Sequence, residues 1–213
     1  MSAARSSNIG GYVLAGGMSS RMGINKSLIK IGGKALVAHA VEKLQQICAD
    51  VFILSSDPAL ESFAPLVPDL HMNCGPLGGI EAALAHSRFD WNLVLPVDVP
   101  FLPKDFLLDW IQRITKRDGV RAAYFEVAGK PEPGVLLIRR EAQSSIRSSI
   151  ERGEFKLLPA IQASAEASRV WVELLDTGEA EEWFANLNTP EELERIRGRA
   201  DLQQMLGAGD GAS

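Results

Sequence analysis

Short apolar runs alternate with segments of helical periodicity along most of the chain. Apolar residues every three or four positions indicate a helix with one buried face, whereas a continuous apolar run is typical of a strand buried on both faces. The runs that predict strands are 9–14, 51–54, the stretch between Pro65 and Pro68, 91–95, 120–125, 135–138, 170–172 and 183–185. The segments that predict helices are 34–47, 78–87, 103–115, 139–152 and a last helix beginning at Thr189-Pro190.

This alternation predicts an α/β fold, a three-layer sandwich with helices on both faces of a mostly parallel sheet. The 213 residues are enough for one domain with a buried core. We expect that domain to span 1–206 and the tail 207–213 to be disordered, because its sequence GAGDGAS lacks large apolar side chains. Residues 116–182 have the least regular pattern, and we expect them to complete a substrate cleft.

Charge and cysteine content limit the partners and the compartment. The net charge of −5, from 22 basic and 27 acidic residues, disfavours a nucleic-acid partner and, taken alone, an anionic substrate. No apolar stretch approaches the roughly 18 residues of a membrane span, and the first residues lack the apolar core of a signal peptide. Cys48 and Cys74 have neither disulfide-framework nor zinc-site spacing. We therefore expect a reduced, cytoplasmic protein without a membrane partner.

A glycine-rich segment, L-A-G-G-M-S-S-R-M-G-I-N-K, follows the first predicted strand. Glycines let backbone N–H groups approach a phosphate closely, and Arg21 and Lys26 add positive charge. Asn25 stands where a Walker A loop needs glycine, and the G-x-G-x-x-G fingerprint of dinucleotide-binding folds is absent. Because ligands of open α/β sheets bind at the carboxyl ends of strands, we predict a phosphate site here.

A second glycine motif, Gly75-Pro76-Leu77-Gly78-Gly79, precedes the helix predicted over 78–87. It combines a rigid turn with two residues that lack bulk. Such a surface lets a base or a ribose lie against the backbone.

One carboxylate, Asp98, follows an apolar strand and lies between Pro96 and Pro100. Mg²⁺ prefers oxygen ligands and keeps waters and substrate phosphates in its shell, so a single carboxylate here suits it. Near the end of the chain, Asn186 and Asn188 precede the Thr189-Pro190 helix start, and their amide oxygens could complete a magnesium shell or contact a phosphate.

Together these motifs resemble those of the molybdenum cofactor guanylyltransferases of the MobA type, in the same order along the chain. The matching stretches are 14–26, 75–80, 96–102 and 186–193. Gly16-Gly17 resembles the guanylyl branch of the family, since the related cytidylyltransferases more often have Ala-Gly there. The resemblance implies the nucleotide-diphospho-sugar transferase fold, GTP and molybdopterin (or its molybdenum-loaded form) as substrates, Mg²⁺ as cofactor, and contact with other molybdenum-cofactor proteins.

The resemblance also implies roles for individual residues. Asp98 would hold Mg²⁺, Lys26 and Arg21 would stabilise phosphate charge, and Asn186 and Asn188 would face the active site. The nucleotide-binding residues would be Leu14, Ala15, Gly16, Gly17, Ser19, Lys26, Ser55, Asp69, Gly75, Pro76, Leu77, Gly79 and Asp98.

The chain departs from the family pattern at a few positions. Asn25 replaces the aspartate that usually precedes the lysine, and Glu132 stands where the family often has a histidine. Ser55 and Asp57, where the family often has asparagine, could meet a purine edge. Two alternatives therefore stay open at this point: a cytidylyl- or sugar-phosphate nucleotidyltransferase of the same fold, and a nucleotide-binding accessory protein without turnover.

Overall fold

The computed structural model describes residues 8–15, 25–166 and 169–185. Its strands are β1 (Ile9–Leu14), β2 (Lys30–Ile31), β3 (Lys34–Ala35), β4 (Asp50–Leu54), β5 (Leu66–Val67), β6 (Trp91–Pro96), β7 (Ala122–Val127), β8 (Lys130–Arg139) and β9 (Val170–Leu175). Its α-helices are α1 (Leu36–Gln45), α2 (Pro76–His86), α3 (Lys104–Thr115), α4 (Gln143–Glu151), α5 (Leu157–Ser164) and α6 (Gly178–Trp183). Short 3₁₀ turns cover Lys26–Leu28, Pro58–Leu60 and Arg140–Ala142.

Seven of the strands form one sheet, in the order β5-β4-β1-β6-β8-β7-β9, and β2 pairs with β3 in a separate small hairpin. The pairs β4–β5, β1–β4, β1–β6 and β7–β9 are parallel. Strand β8 is antiparallel to both of its neighbours, β6 and β7. The sheet is therefore mixed and mostly parallel.

Alternating side chains of the central strands enter two separate cores. Val13 packs in a cluster with residues of α1 and α3, whereas Tyr12 packs on the other face with residues of α2, α4 and α5. Both side chains are fully buried, because helices cover the sheet on each face. This confirms the predicted three-layer α/β sandwich.

The sequence prediction differs from the structure at several places. Residues 34–35, predicted as the start of the first helix, form β3 and pair with β2. Residues 183–185 were predicted as a strand, but residue 183 is the last of α6 and the next two follow it. There Phe184 packs against Phe125 with ring centroids 5.2 Å apart. Thr177 caps this helix by accepting a hydrogen bond from the Ala180 N–H at 3.1 Å. Residues 116–166 are also more regular than expected, since they contain β7, β8, α4 and the unpredicted helix α5.

Both cysteines are free and buried. Among the residues that the structure describes, no helix has the length and apolar character needed to cross a lipid bilayer. The predicted helix at Thr189-Pro190 and the tail 207–213 lie outside the described residues.

Candidate active site

Most of the predicted site residues that the structure describes lie near the carboxyl ends of three neighbouring strands, β4, β1 and β6. The chain passes from β1 through α1 to β4 and β5, and then returns through α2 to β6 on the other side of β1. The strand order thus reverses beside β1, and open α/β sheets bind their ligands at such a switch point. The pairing of β1 with β6 continues past the strands, because Val97 N–H donates to the Leu14 carbonyl at 3.3 Å.

Lys26 and Asp98 meet at this switch point. The Lys26 ammonium donates to Asp98 Oδ2 at 3.1 Å, and the two side chains are 16% and 25% exposed. Asp98 follows β6, and Lys26 begins the 3₁₀ turn Lys26–Leu28 after the glycine-rich segment. The glycine-rich segment and the strand-end aspartate, which are far apart in sequence, therefore contribute to one half-buried site.

The turn that carries Lys26 is fixed by its neighbours. Asn25 is its N-cap, with Oδ1 accepting a hydrogen bond from Ser27 N–H at 3.0 Å. The buried Ser27 hydroxyl donates to the Ala15 carbonyl at 3.2 Å, which ties the turn to the end of β1. The Asn25 amide also donates to Asp57 Oδ2, at the end of β4. We call this last contact the Asn25–Asp57 bridge.

The second glycine motif forms the start of α2 and lies against the Asp69 side chain. Gly75 has a φ of +58° and ψ of −149°, a backbone conformation that favours glycine. A Cβ at Gly79 would lie 3.1 Å from Leu14 Cδ1 and 3.6 Å from Asp69 Oδ1. Leu14, Asp69 and the start of α2 are therefore in close contact, and burial raises the pKa of the Asp69 carboxyl.

Glu132 is a further carboxylate near the site. Burial raises its pKa, and the negative charge of Asp98 raises it further. It reaches this edge because β8 runs opposite to β6, so the first residues of β8 extend past the end of β6. A Cβ at Gly134 would contact Pro96 Cγ at 3.4 Å, which shows how closely β8 passes. In the described part of the site, Asp98 therefore has the Lys26 ammonium on its Oδ2 and the Glu132 carboxyl close enough for the two charges to interact.

Lys43 of α1 holds the segment that follows Asp98. Its ammonium donates to the Pro100 carbonyl at 2.9 Å and also to the Leu102 carbonyl. Burial lowers the pKa of Lys43 to about 8. The sequence prediction missed this lysine, because its only signal is a cation on an otherwise apolar helix face.

The structure brings together Leu14, Ala15, Lys26, Ser55, Asp69, Gly79 and Asp98 around the ends of β1, β4 and β6. Leu77 packs into the core below, so its side chain does not face this edge. The Ser55 hydroxyl accepts a hydrogen bond from Asp57 N–H at 3.1 Å. The residues Gly16, Gly17, Ser19, Arg21, Asn186 and Asn188 lie outside the described residues.

The described residues offer few carboxylates for a metal ion at this edge of the sheet. Within 8–15, 25–166 and 169–185, no group of three or more His, Cys, Asp or Glu side chains converges on a metal position. Mg²⁺ in nucleotide-binding enzymes commonly uses one or two carboxylates and completes its shell with phosphates and water. Asp98 supplies such a carboxylate beside Lys26.

Comparison with known proteins agrees with this geometry. Residues 11–167 match the family model described as the MobA-like NTP transferase domain. A protein of Yersinia pseudotuberculosis named molybdenum cofactor guanylyltransferase is 34% identical over 188 residues, covering 86% of this chain and 92% of the relative. A Vibrio cholerae protein of the same name is 30% identical over 185 residues, covering 85% and 87%.

Solved structures share the fold. The crystal structure of molybdopterin-guanine dinucleotide biosynthesis protein A from Archaeoglobus fulgidus superimposes with a TM-score of 0.75 at 24% identity, covering 91% of this chain and 99% of that one. A CTP complex of CMP:2-keto-3-deoxy-manno-octonic acid synthetase has a TM-score of 0.69 at 16% identity. The family model covers most of the chain, and the chain belongs to the MobA-like NTP transferase family.

Proposed function

We propose that this chain transfers GMP from GTP to molybdopterin, which yields the guanine dinucleotide form of the cofactor and pyrophosphate. The Lys26–Asp98 pair at the switch point beside β1 carries this proposal, because it places a cation suited to phosphate next to a carboxylate suited to Mg²⁺. Family membership supports nucleotidyl transfer, and the names of the relatives support guanine and the pterin as substrates.

In the proposed reaction, an oxygen of the molybdopterin phosphate attacks the α-phosphorus of GTP. A new P–O bond forms, the bond to the β-phosphate oxygen breaks, and pyrophosphate leaves with the electron pair. The substrate supplies the nucleophile, so the protein acts by positioning the reactants and by stabilising charge. In this proposal the Lys26 ammonium would neutralise charge on the departing pyrophosphate.

Asp98 would hold Mg²⁺ in this proposal, with Glu132 as the neighbouring carboxylate. When bound, Mg²⁺ neutralises phosphate charge and orients the attacking and leaving oxygens. The described acidic residues Asp57, Asp69, Asp98 and Glu132 are close to or part of the site. A triphosphate would meet repulsion from them without a divalent cation, so we expect binding of GTP to depend strongly on Mg²⁺.

The test is a pyrophosphate-release assay with molybdopterin, Mg²⁺ and each of the four nucleoside triphosphates. We expect GTP to give the highest kcat/KM, whereas a preference for CTP would indicate a cytidylyltransferase. GTP binding without pyrophosphate release would indicate an accessory protein. We further propose a cytoplasmic location, which the two free cysteines support.

Asp98→Asn tests the metal-binding residue within the same assay. It keeps the shape of the side chain but removes the charge, and we expect turnover to fall by about 10²-fold or more. Asp90→Asn is the matched control, because Asp90 precedes β6 at the opposite end of the strand and pairs with Arg139. Activity of Asp98→Asn close to that of Asp90→Asn would contradict the assignment.

A further inference from the structure

We infer that Asp57 is a positioning residue for Lys26, and that it acts through the side chain of Asn25. The inference deepens the proposed function, on which its kinetic consequence rests. Asp57 lies beyond β4, Asn25 and Lys26 follow β1 in the chain after residues 16–24, and Asp98 lies beyond β6. The contacts Asp57–Asn25 and Lys26–Asp98 therefore form a polar connection across the ends of three adjacent strands.

Each polar atom of the Asn25–Asp57 bridge has a defined role. Asn25 Oδ1 accepts from Ser27 N–H at 3.0 Å, so its amide nitrogen is the atom that faces Asp57. Asp57 Oδ1 accepts from Ala59 N–H at 2.9 Å as the cap of the Pro58–Leu60 turn, and Oδ2 accepts from Asn25. The bridge thus joins the caps of two 3₁₀ turns through one donor and one acceptor.

This use of both carboxylate oxygens changes the expected role of Asp57. The sequence indicated that Asp57 could meet a purine edge, but its oxygens are engaged with Ala59 N–H and with Asn25. The residue beyond Asn25 in the chain is Lys26, and the turn is only three residues long. A rotation of the Asn25 cap would therefore displace the Lys26 ammonium relative to Asp98.

The chemistry of the bridge predicts an unusual mutational pattern. Asn25→Asp would place two carboxylates against each other. Asp57→Asn has only one oxygen, so its amide nitrogen would face an N–H donor, either that of Asn25 or that of Ala59. The double exchange Asn25→Asp/Asp57→Asn again provides one donor and one acceptor for the bridge. Each side chain also keeps one oxygen to accept the N–H of its own turn. Charge and hydrogen-bond count are then the same as in the natural pair.

A double-mutant cycle tests the inference. For each single variant we expect kcat/KM with Mg·GTP and molybdopterin to fall about 10- to 100-fold, because small misplacements of a catalytic group are costly. For the double variant we expect kcat/KM within about threefold of the unsubstituted protein, which would be strong coupling. Additive losses in the double variant would overturn the inference.

Ser87→Ala is the matched control for a purely structural effect. Ser87 accepts from Phe89 N–H at 3.0 Å and donates to Asn92, in a buried position at the amino end of β6. We expect this variant to lower the melting temperature but to change kcat/KM by less than about twofold. If Ser87→Ala lowers kcat/KM as much as Asp57→Asn does, loss of stability explains both effects and the inference fails.

A readout without substrate separates this inference from the proposed function. The readout is the rate at which an amine-acylating reagent modifies Lys26, measured by peptide mass spectrometry with Lys116 as the reference. This rate reports how accessible and how firmly positioned the Lys26 ammonium is. We expect several-fold faster modification in each single variant and a return to the original rate in the double variant. If no nucleotide is turned over, the proposed function fails; an unchanged Lys26 rate in the single variants would refute the positioning role.

Discussion

Lys43 provides a stability prediction with a defined sign. Its ammonium is partly buried at the contact between α1 and the Pro100 and Leu102 carbonyls, and this burial lowers its pKa from 10.5 to about 8. A lysine with a lower pKa in the folded than in the unfolded protein binds its proton less tightly when folded. Its charged form therefore costs folding free energy below pH 8, and this cost is relieved as the pH rises from about 8 to about 10.5.

The magnitude follows from the shift in pKa. Each pKa unit corresponds to about 1.4 kcal/mol, so a shift from 10.5 to about 8 corresponds to roughly 3 kcal/mol. The neutral amine keeps two N–H donors for the two carbonyls, so the contact survives deprotonation. We therefore expect the free energy of unfolding of the unsubstituted protein to rise relative to that of Lys43→Met across this pH interval.

The assay is urea unfolding of both proteins at several pH values between 7 and 10.5. Subtracting the two curves removes the contributions of the other titrating groups. Lys34→Met is the matched control, because Lys34 lies in an exposed ion pair with Glu42 and loses little hydration on folding. A stability difference between Lys43→Met and the unsubstituted protein that does not vary with pH would refute the reasoning.

One further variant and one labelling reaction probe the packing of Cys48 against β1. Gly11→Ala would bring a Cβ to 3.0 Å from the Cys48 side chain and 3.3 Å from the Asp50 carbonyl. We therefore expect the free energy of unfolding, measured in urea, to fall by about 1–3 kcal/mol. Unchanged stability would show that β1 and Cys48 can move apart without cost. Burial raises the pKa of Cys48 to about 12, so iodoacetamide at pH 8 should modify it only as the protein unfolds, and the rate should increase with urea. Rapid stoichiometric modification of the folded protein would contradict this.

The strand pattern and the motifs predicted much of the fold and of the site. Continuous apolar runs identified the central strands because both faces of the sheet are covered. The strand predicted over 183–185 was wrong because the Thr177 cap and the acidic first turn of α6 favour a helix in the residues just before it. Helix α5 was missed because Pro159 interrupts its pattern, although proline is tolerated in a first helical turn.

For the site, too, some contacts could be predicted from the sequence and others could not. Lys26 and Asp98 stand in recognisable motifs, and the rule that ligands bind at strand ends is enough to place them together. The Asn25–Asp57 bridge depends on how two loops from different strands approach, which no local pattern contains. Asp57 followed by Pro58 did offer one local signal, because aspartate and then proline is a typical start of a helical turn.

The direction of β8 has a consequence for how this enzyme family can diversify. β8 pairs with β6 only from Leu136 onward, so its first residues and the β7–β8 turn at Ala128-Gly129 extend beyond that partner. Insertions or deletions at this turn can lengthen or shorten the part of the β7–β8 hairpin near Glu132, while the register between β6 and β8 stays unchanged. Exchanging this hairpin between relatives would therefore change the segment near Glu132 and leave the Lys26–Asp98 pair in place.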